Sequence, residues 1–154
     1  MAKYVHFRKV ANFKVPLTSN VIYSDGSKIG CKIGAACFHP WSNQIYYMQQ
    51  RGKRLTSVHA ELAGIYLGID AFKYNPDIII LTDSLSSIDL LCKMLNNPPY
   101  FIGHSHGLAV KNIVDLLKLR SELRLHTSIW KVKAHSGLYG NNVADTWARI
   151  AAKL

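Results

Sequence analysis

Acidic residues are scarce in this 154-residue sequence: nine Asp and Glu stand against 19 Lys and Arg, a formal net charge of +10. An excess of that size favours polyanionic partners, nucleic acid above all. Cysteine is sparse as well. Cys31, Cys37 and Cys92 make an odd number with no Cys-x-x-Cys spacing, which excludes a disulfide framework and points to free thiols in a reducing compartment. Long apolar runs are missing. The longest aliphatic stretch is Ile78-Ile79-Ile80-Leu81, far short of the ~20 residues of a membrane helix. Lys3, Arg8, Lys9 and Lys14 have no continuous apolar segment behind them, so no secretory signal is read there. Repeats and low-complexity tracts are absent too. With 49% hydrophobic residues and a mean hydropathy of +0.03, wholesale disorder is excluded. A chain of this length can bury roughly 70% of its unfolded surface. The expectation is a soluble intracellular domain, cytoplasmic and monomeric.

Residues 1–19 read as a basic, irregular extension or linker, and 20–154 as the folded domain. Val21-Ile22-Tyr23 is a short apolar strand running into a turn at Ser24-Asp25-Gly26-Ser27. Residues 33–38 and 44–50 are two further strands of an antiparallel meander. The period then changes: Val58, Leu62, Ile65, Ile69 and Phe72 follow helical spacing. Residues 77–82 form a wholly apolar strand of the kind buried on both faces. Asp83-Ser84 offers an N-cap to a helix carrying Leu85, Ile88, Leu91 and Leu95. Residues 107–124 form another helix, 125–133 a strand and 142–153 a last helix capped by Asn141 or Asn142. This order predicts an α/β domain, a five-stranded mixed sheet with helices on both faces.

In so basic a chain each carboxylate needs a reason. Asp25 and Asp83 both close apolar strands, so parallel pairing brings them to one carboxyl edge, where open α/β sheets place ligands. Read separately, Asp25 is a turn former before Gly26 and Asp83 a helix N-cap. Glu61 lies about 60° from Val58 and about 40° from Ile65 around the helix, on the core-facing stripe. Gly64 and Gly68 follow it, each costing ~1 kcal/mol against alanine in a helix, which suggests close packing onto a sheet. Asp145 stands in the first turn of the last helix, where the dipole alone favours an acid. Its neighbours Ala148 and Ala152 make a small-residue face. Four carboxylates at one sheet edge repel unless cations sit among them. Oxygen-only ligands select Mg²⁺ or Mn²⁺ over zinc. Two such ions about 4 Å apart suit in-line displacement at a phosphodiester, with a basic surface holding the backbone.

The segments Tyr23-Ser24-Asp25-Gly26-Ser27, His59-Ala60-Glu61-Leu62, Leu81-Thr82-Asp83-Ser84 and Trp130-Lys131-Val132-Lys133-Ala134-His135-Ser136-Gly137, then Asn141-Asn142-Val143-Ala144-Asp145, are met in that order. Together they resemble the type 1 ribonuclease H family over about residues 20–153. The resemblance implies that Asp25, Glu61, Asp83 and Asp145 are catalytic metal ligands for two Mg²⁺ ions, with Mn²⁺ a substitute and Asp25 shared between the two. His135 matches the family's loop histidine, assigned to product departure or proton transfer. The implied reaction cleaves the RNA strand of RNA–DNA hybrids, leaving 3′-hydroxyl and 5′-phosphate ends. The short turn after Asp25, Ser57-Val58-His59 before Glu61, and the lack of room for a basic handle helix make it most similar to compact handle-less or retroelement-type domains. That implies attachment to, or work beside, a reverse transcriptase.

Ser27, Lys28, Lys131, Lys133 and Arg149 are the expected nucleic-acid contacts. Lys111, Lys118, Arg120 and Arg124 read either as a substitute for the handle or as a solvated helix face. His104 and His106 lack the further ligands that a metal site needs. The rival readings are a non-catalytic module of the same fold that binds nucleic acid or protein, and a resolvase- or integrase-type nuclease. Retention of all four acids opposes the first. His135 and the Asn141–Asp145 ending oppose the second.

Overall fold

Val5–Arg8 opens the chain as a strand, β1. The computed structural model describes residues 1–134 and 137–154. The remaining strands are β2 (Val21–Ile29), β3 (Lys32–His39), β4 (Gln44–Arg51), β5 (Ile78–Thr82) and β6 (Thr127–Lys131). The helices are α1 (Ser57–Ala71), α2 (Leu85–Asn96), α3 (Gly107–Glu122) and α4 (Tyr139–Lys153). All the strands join one mixed sheet in the order β1-β6-β5-β2-β3-β4. The β2-β3-β4 side is an antiparallel meander, and β2, β5, β6 and β1 pair in parallel. None of the described helices is long and apolar enough to cross a membrane.

The sheet therefore has six strands, not the five expected. Residues 5–8 alternate apolar and polar, Val5 and Phe7 against His6 and Arg8, but over only four residues. They gain order from the ladder Val5↔Thr127 to Arg8↔Trp130 and from Val5, which joins the core. A short edge strand of this kind owes its existence to its neighbour, not to propensity.

Strand alternation divides the core in two. Ile22, Ile78, Ile80 and Ile129 face a cluster with α1, α2 and α3. Val21, Tyr23, Phe38 and Leu81 face the other side with Val132, just past β6, and with Ala144 of α4. Phe13 and Val15 cover that second cluster, so part of the expected linker packs on the sheet.

Two boundaries differ from expectation in ways that bear on function. Strand β2 does not turn at Asp25. It runs on to Ile29, pairing Asp25 with Ala36 and Ser27 with Gly34, and the turn falls at Gly30, whose φ of 60° suits glycine. Helix α4 starts at Tyr139 without a side-chain cap, and Asn141 is buried inside it. Packing sets that start: a methyl group at Gly140 would lie 2.2 Å from the Tyr23 ring. Asp145 consequently stands seventh in α4, beyond the first turn where the helix dipole would account for an acid.

Arg120 is a structural residue. It is fully buried, and its guanidinium donates to Thr127 Oγ1 at 2.7 Å and to the carbonyls of Phe72, Lys73, Asn75 and His126. This fork ties the end of α3 to the α1–β5 loop and the start of β6. It removes Arg120 from any substitute handle.

Candidate active site

Asp25 is the fifth residue of β2, two positions past Tyr23↔Leu81, where the parallel ladder with β5 ends. It is 4% exposed, and its Oδ1 accepts the Gly26 amide at 2.8 Å. Helix α1 lies directly on this part of the strand. A methyl group at Gly26 would sit 2.2 Å from the Ala60 carbonyl carbon and 2.5 Å from the Glu61 nitrogen. A methyl group at Gly64 would sit 2.6 Å from the Asp25 carbonyl oxygen. Two glycines, one on each element, thus let backbone meet backbone and deliver Glu61 beside Asp25.

Asp83 follows β5 directly. Thr82 Oγ1 accepts the Ser84 amide at 3.1 Å, making a tight turn around it. Ser84, not Asp83, caps α2, its hydroxyl accepting the Ser87 amide. The capping role is filled by the neighbour, and Asp83 is turned to Asp25 and Glu61. Each of the three carboxylates offers an oxygen within 4.8 Å of the other two.

The fourth acid approaches from the opposite face of the sheet. A methyl group at Gly34 would lie 2.2 Å from the Ala148 carbonyl oxygen and 2.3 Å from the Ala152 nitrogen, so the small-residue face of α4 rests on β3. Asp145 is held by Arg149 Nη2 at 3.1 Å, and its presence nearby helps raise the Asp25 carboxyl. It stands outside the tight trio. His135, the loop histidine of the sequence reading, lies outside the described residues.

Electrostatics mark the cluster. Burial, then the Asp83 charge, with a contribution from Asp145, pushes the Asp25 carboxyl up to about 7. Burial, then the charges of Asp25 and Asp83, pushes Glu61 up to about 10. Glu61 Oε2 is buried with no hydrogen-bond donor, alone in this among the buried side-chain oxygens and nitrogens described. A buried acceptor without a donor costs about 1–3 kcal/mol, and like charges add to that. A hard divalent cation answers both problems, and a set of carboxylate oxygens is the donor chemistry that Mg²⁺ and Mn²⁺ prefer.

The expected nucleic-acid contacts are scattered around this cluster. Ser27 and Lys28 continue β2 outward from Asp25, half-buried and exposed respectively. Lys131 ends β6 with its ammonium on the Val132 carbonyl at 2.6 Å. Lys133 is exposed in the following loop, and Arg149 is tied to Asp145. His106 packs on His59 and His104 on His106, not on a ligand set: Thr56 Oγ1 lies 2.9 Å from His106 Nε2, and the Thr56 amide donates to His59 Nδ1 at 3.0 Å. Together they fasten the loop before α3 to the start of α1. The sequence reading missed Gly26 and Thr82. Gly26 passed for a turn residue, and its signal was the pairing of a strand glycine with the helix glycines at 64 and 68.

Comparison with known proteins places this geometry. The RNase H family model matches residues 18–153. Among solved structures the fold is similar to the prototype foamy virus protease-reverse transcriptase, native form, with a TM-score of 0.67 at 16% identity. That alignment covers 94% of this chain and 23% of the other, so the chain spans about a quarter of that protein. A structure of the foamy viral protease-reverse transcriptase in complex with dsDNA aligns with a TM-score of 0.65 at 19% identity, covering 90% of this chain and 98% of that one. Curated proteins return no match. The family match starts before β2 and ends at the last residue of α4, taking in every element that carries the four acids, and the chain belongs to the RNase H family.

Proposed function

We propose that this chain is a metal-dependent endonuclease that hydrolyses the RNA strand of RNA–DNA hybrids and leaves 3′-hydroxyl and 5′-phosphate ends. The observation that carries the reading is the meeting of Asp25, Glu61 and Asp83 within 4.8 Å around a buried Glu61 oxygen that no protein donor satisfies. Asp25, Glu61, Asp83 and Asp145 are the residues that would hold two Mg²⁺ ions, with Mn²⁺ a substitute. When bound, such ions activate water and stabilise the departing 3′-oxygen of a phosphodiester.

The chain's own groups orient this chemistry. Asp25 is rigidly placed, since its strand is pinned between α1 and α4 and its Oδ1 is held by the Gly26 amide. Asp25 lies with Glu61 and Asp83 while Asp145 approaches from α4, and Asp25 would be the ligand that the resemblance assigns to both ions. Arg149 holds the Asp145 carboxylate in place and offsets part of its charge. His135 takes the loop role that the family resemblance assigns it, proton transfer or product departure. The +10 charge retains a polyanionic substrate. The likeness to two reverse-transcriptase structures supports action attached to, or beside, a reverse transcriptase.

End-labelled RNA–DNA hybrid, double-stranded RNA and double-stranded DNA are incubated with the protein in Mg²⁺ and then in EDTA. Cleavage confined to the RNA of the hybrid, and stopped by EDTA, is the expected result. Cutting of duplex DNA, or tight binding of the hybrid with no cutting in either metal, overturns the proposal.

A further inference from the structure

The 35 residues between Asp25 and Glu61 contain Lys28, Lys32, Arg51, Lys53 and Arg54 and not one acid. The fold gathers them. Helix α1 runs antiparallel to β2: a methyl group at Gly68 would meet Ile22, one at Gly64 would meet Asp25, and Gly26 faces Ala60 and Glu61. The first turn of α1 and the loop before it therefore lie beyond Gly26, over the outer half of β2 that carries Lys28. The Gly52 amide donates to the Cys31 carbonyl at 2.8 Å, fastening this loop to the β2–β3 turn, and the β3–β4 register sets Lys32 opposite Arg51. Lys32 leans onto the Leu154 carbonyl oxygen at 3.1 Å. Lys28, Arg51, Lys53 and Arg54 are exposed. Among the described residues none of the five enters an ion pair.

Helix α3 is different, although its N-terminal end adjoins the start of α1 through His106 and Thr56. On α3, Lys111 is paired with Asp115 at 2.8 Å and Arg120 is buried. Exposed Lys118 and Arg124 stand there against Glu122, a smaller excess of positive charge than the four exposed cations of the hairpin flank. Resting on the reading above, we infer that this chain holds the phosphate backbone of its hybrid on the hairpin flank, with Arg51, Lys53 and Arg54 of the β4–α1 loop joining Lys28 about 10 Å along β2 from Asp25. The four exposed cations track phosphates away from the scissile bond and supply the backbone grip that a basic handle helix would give. They are positioning residues. Their contribution belongs in substrate affinity and salt dependence, not in the chemical step.

The test compares the wild type, a variant with Arg51, Lys53 and Arg54 all changed to Gln, and a control with Lys3, Lys73 and Lys93 changed to Gln. The control removes equal charge from the opposite end of the sheet. Hybrid affinity is measured in EDTA from about 50 to about 200 mM salt, and KM and kcat for hybrid cleavage in Mg²⁺. The loop variant is expected to bind at least tenfold more weakly and to lower the salt slope by about 2 to 3. Its KM should rise in step with kcat unchanged, and the control should shift little. If the loop variant and the control behave alike while the wild type cuts the hybrid, the hairpin flank is wrong and the enzymatic reading stands. If the wild type cuts nothing yet only the loop variant loses binding and slope, the flank stands and the enzymatic reading falls.

Discussion

Gly26 of β2 and Ala60 of α1 touch backbone to backbone, with no room for even one methyl group between them. Gly26→Ala is expected to cost about 3 kcal/mol, because the obstructing atoms are peptide groups that cannot rotate away. It should also move Glu61 off the cluster. Gly30→Ala meets no neighbour and strains only its φ of 60°, for about 1 kcal/mol. Urea denaturation ranks the two, and cleavage by the folded fraction should survive at position 30 but not at 26. Equal losses would mean that the contact does not set the site.

Asp25→Asn is expected to lower cleavage about 10³-fold or more, about 4 kcal/mol of transition-state stabilisation, while hybrid binding largely survives. Its melting temperature in EDTA should match or exceed that of the wild type, because a buried like charge is gone. Single-turnover cleavage beside a binding isotherm checks both halves. Wild-type turnover by the variant would remove Asp25 from the mechanism.

Without metal, stability should fall as pH rises. Asp25 and Glu61 carry folded-state values raised to about 7 and about 10, against about 3.9 and about 4.3 in an unfolded chain. The folded state holds these protons more tightly, so their contribution is full below about pH 4 and is lost progressively up to the folded values. Melts in EDTA should decline between about pH 4 and about pH 7 and continue downward as Glu61 ionises. Mg²⁺ should restore stability at neutral pH by binding the charged forms. A doubly substituted Asp25→Asn, Glu61→Gln protein should show a flatter profile and little response to Mg²⁺.

Arg120→Met removes five hydrogen bonds from a fully buried site. A destabilisation of about 3 kcal/mol is expected, since the Thr127 hydroxyl and several carbonyls lose their donor. Lys at this position cannot reproduce the fork and should rescue little. Hybrid affinity per folded molecule should stay constant, which distinguishes a structural arginine from a phosphate contact.

Much of the site was legible before the fold. Four acids in a basic chain, two at the ends of apolar strands and one on the apolar stripe of a helix, were conspicuous because burial of a carboxylate demands a partner. The glycines at 64 and 68 and the alanines at 148 and 152 announced close helix–sheet contact, and the structure places the sheet against all four. Elements with strong periodicity, α1 and β5, fell where their apolar residues put them. Less was legible where order comes from a distant partner. Strand β1 exists because Thr127 to Trp130 lie beside it. The start of α4 follows from Gly140 meeting Tyr23 and not from a capping asparagine. Arg120 looked like a surface cation until its five acceptors, from two separate segments, were brought around it.

Composition, spacing and period alone determined the charge of the surface, the order of strands and helices and the identity of the acids, because these depend on residues near one another in the chain. Tertiary structure alone decided that Asp25 lies within β2 and not at its end, that Ser84 takes the cap and releases Asp83, and that the cations between Asp25 and Glu61 share one flank. Each depends on atoms remote in sequence meeting across a packed sheet, and local propensity carries no information about such meetings.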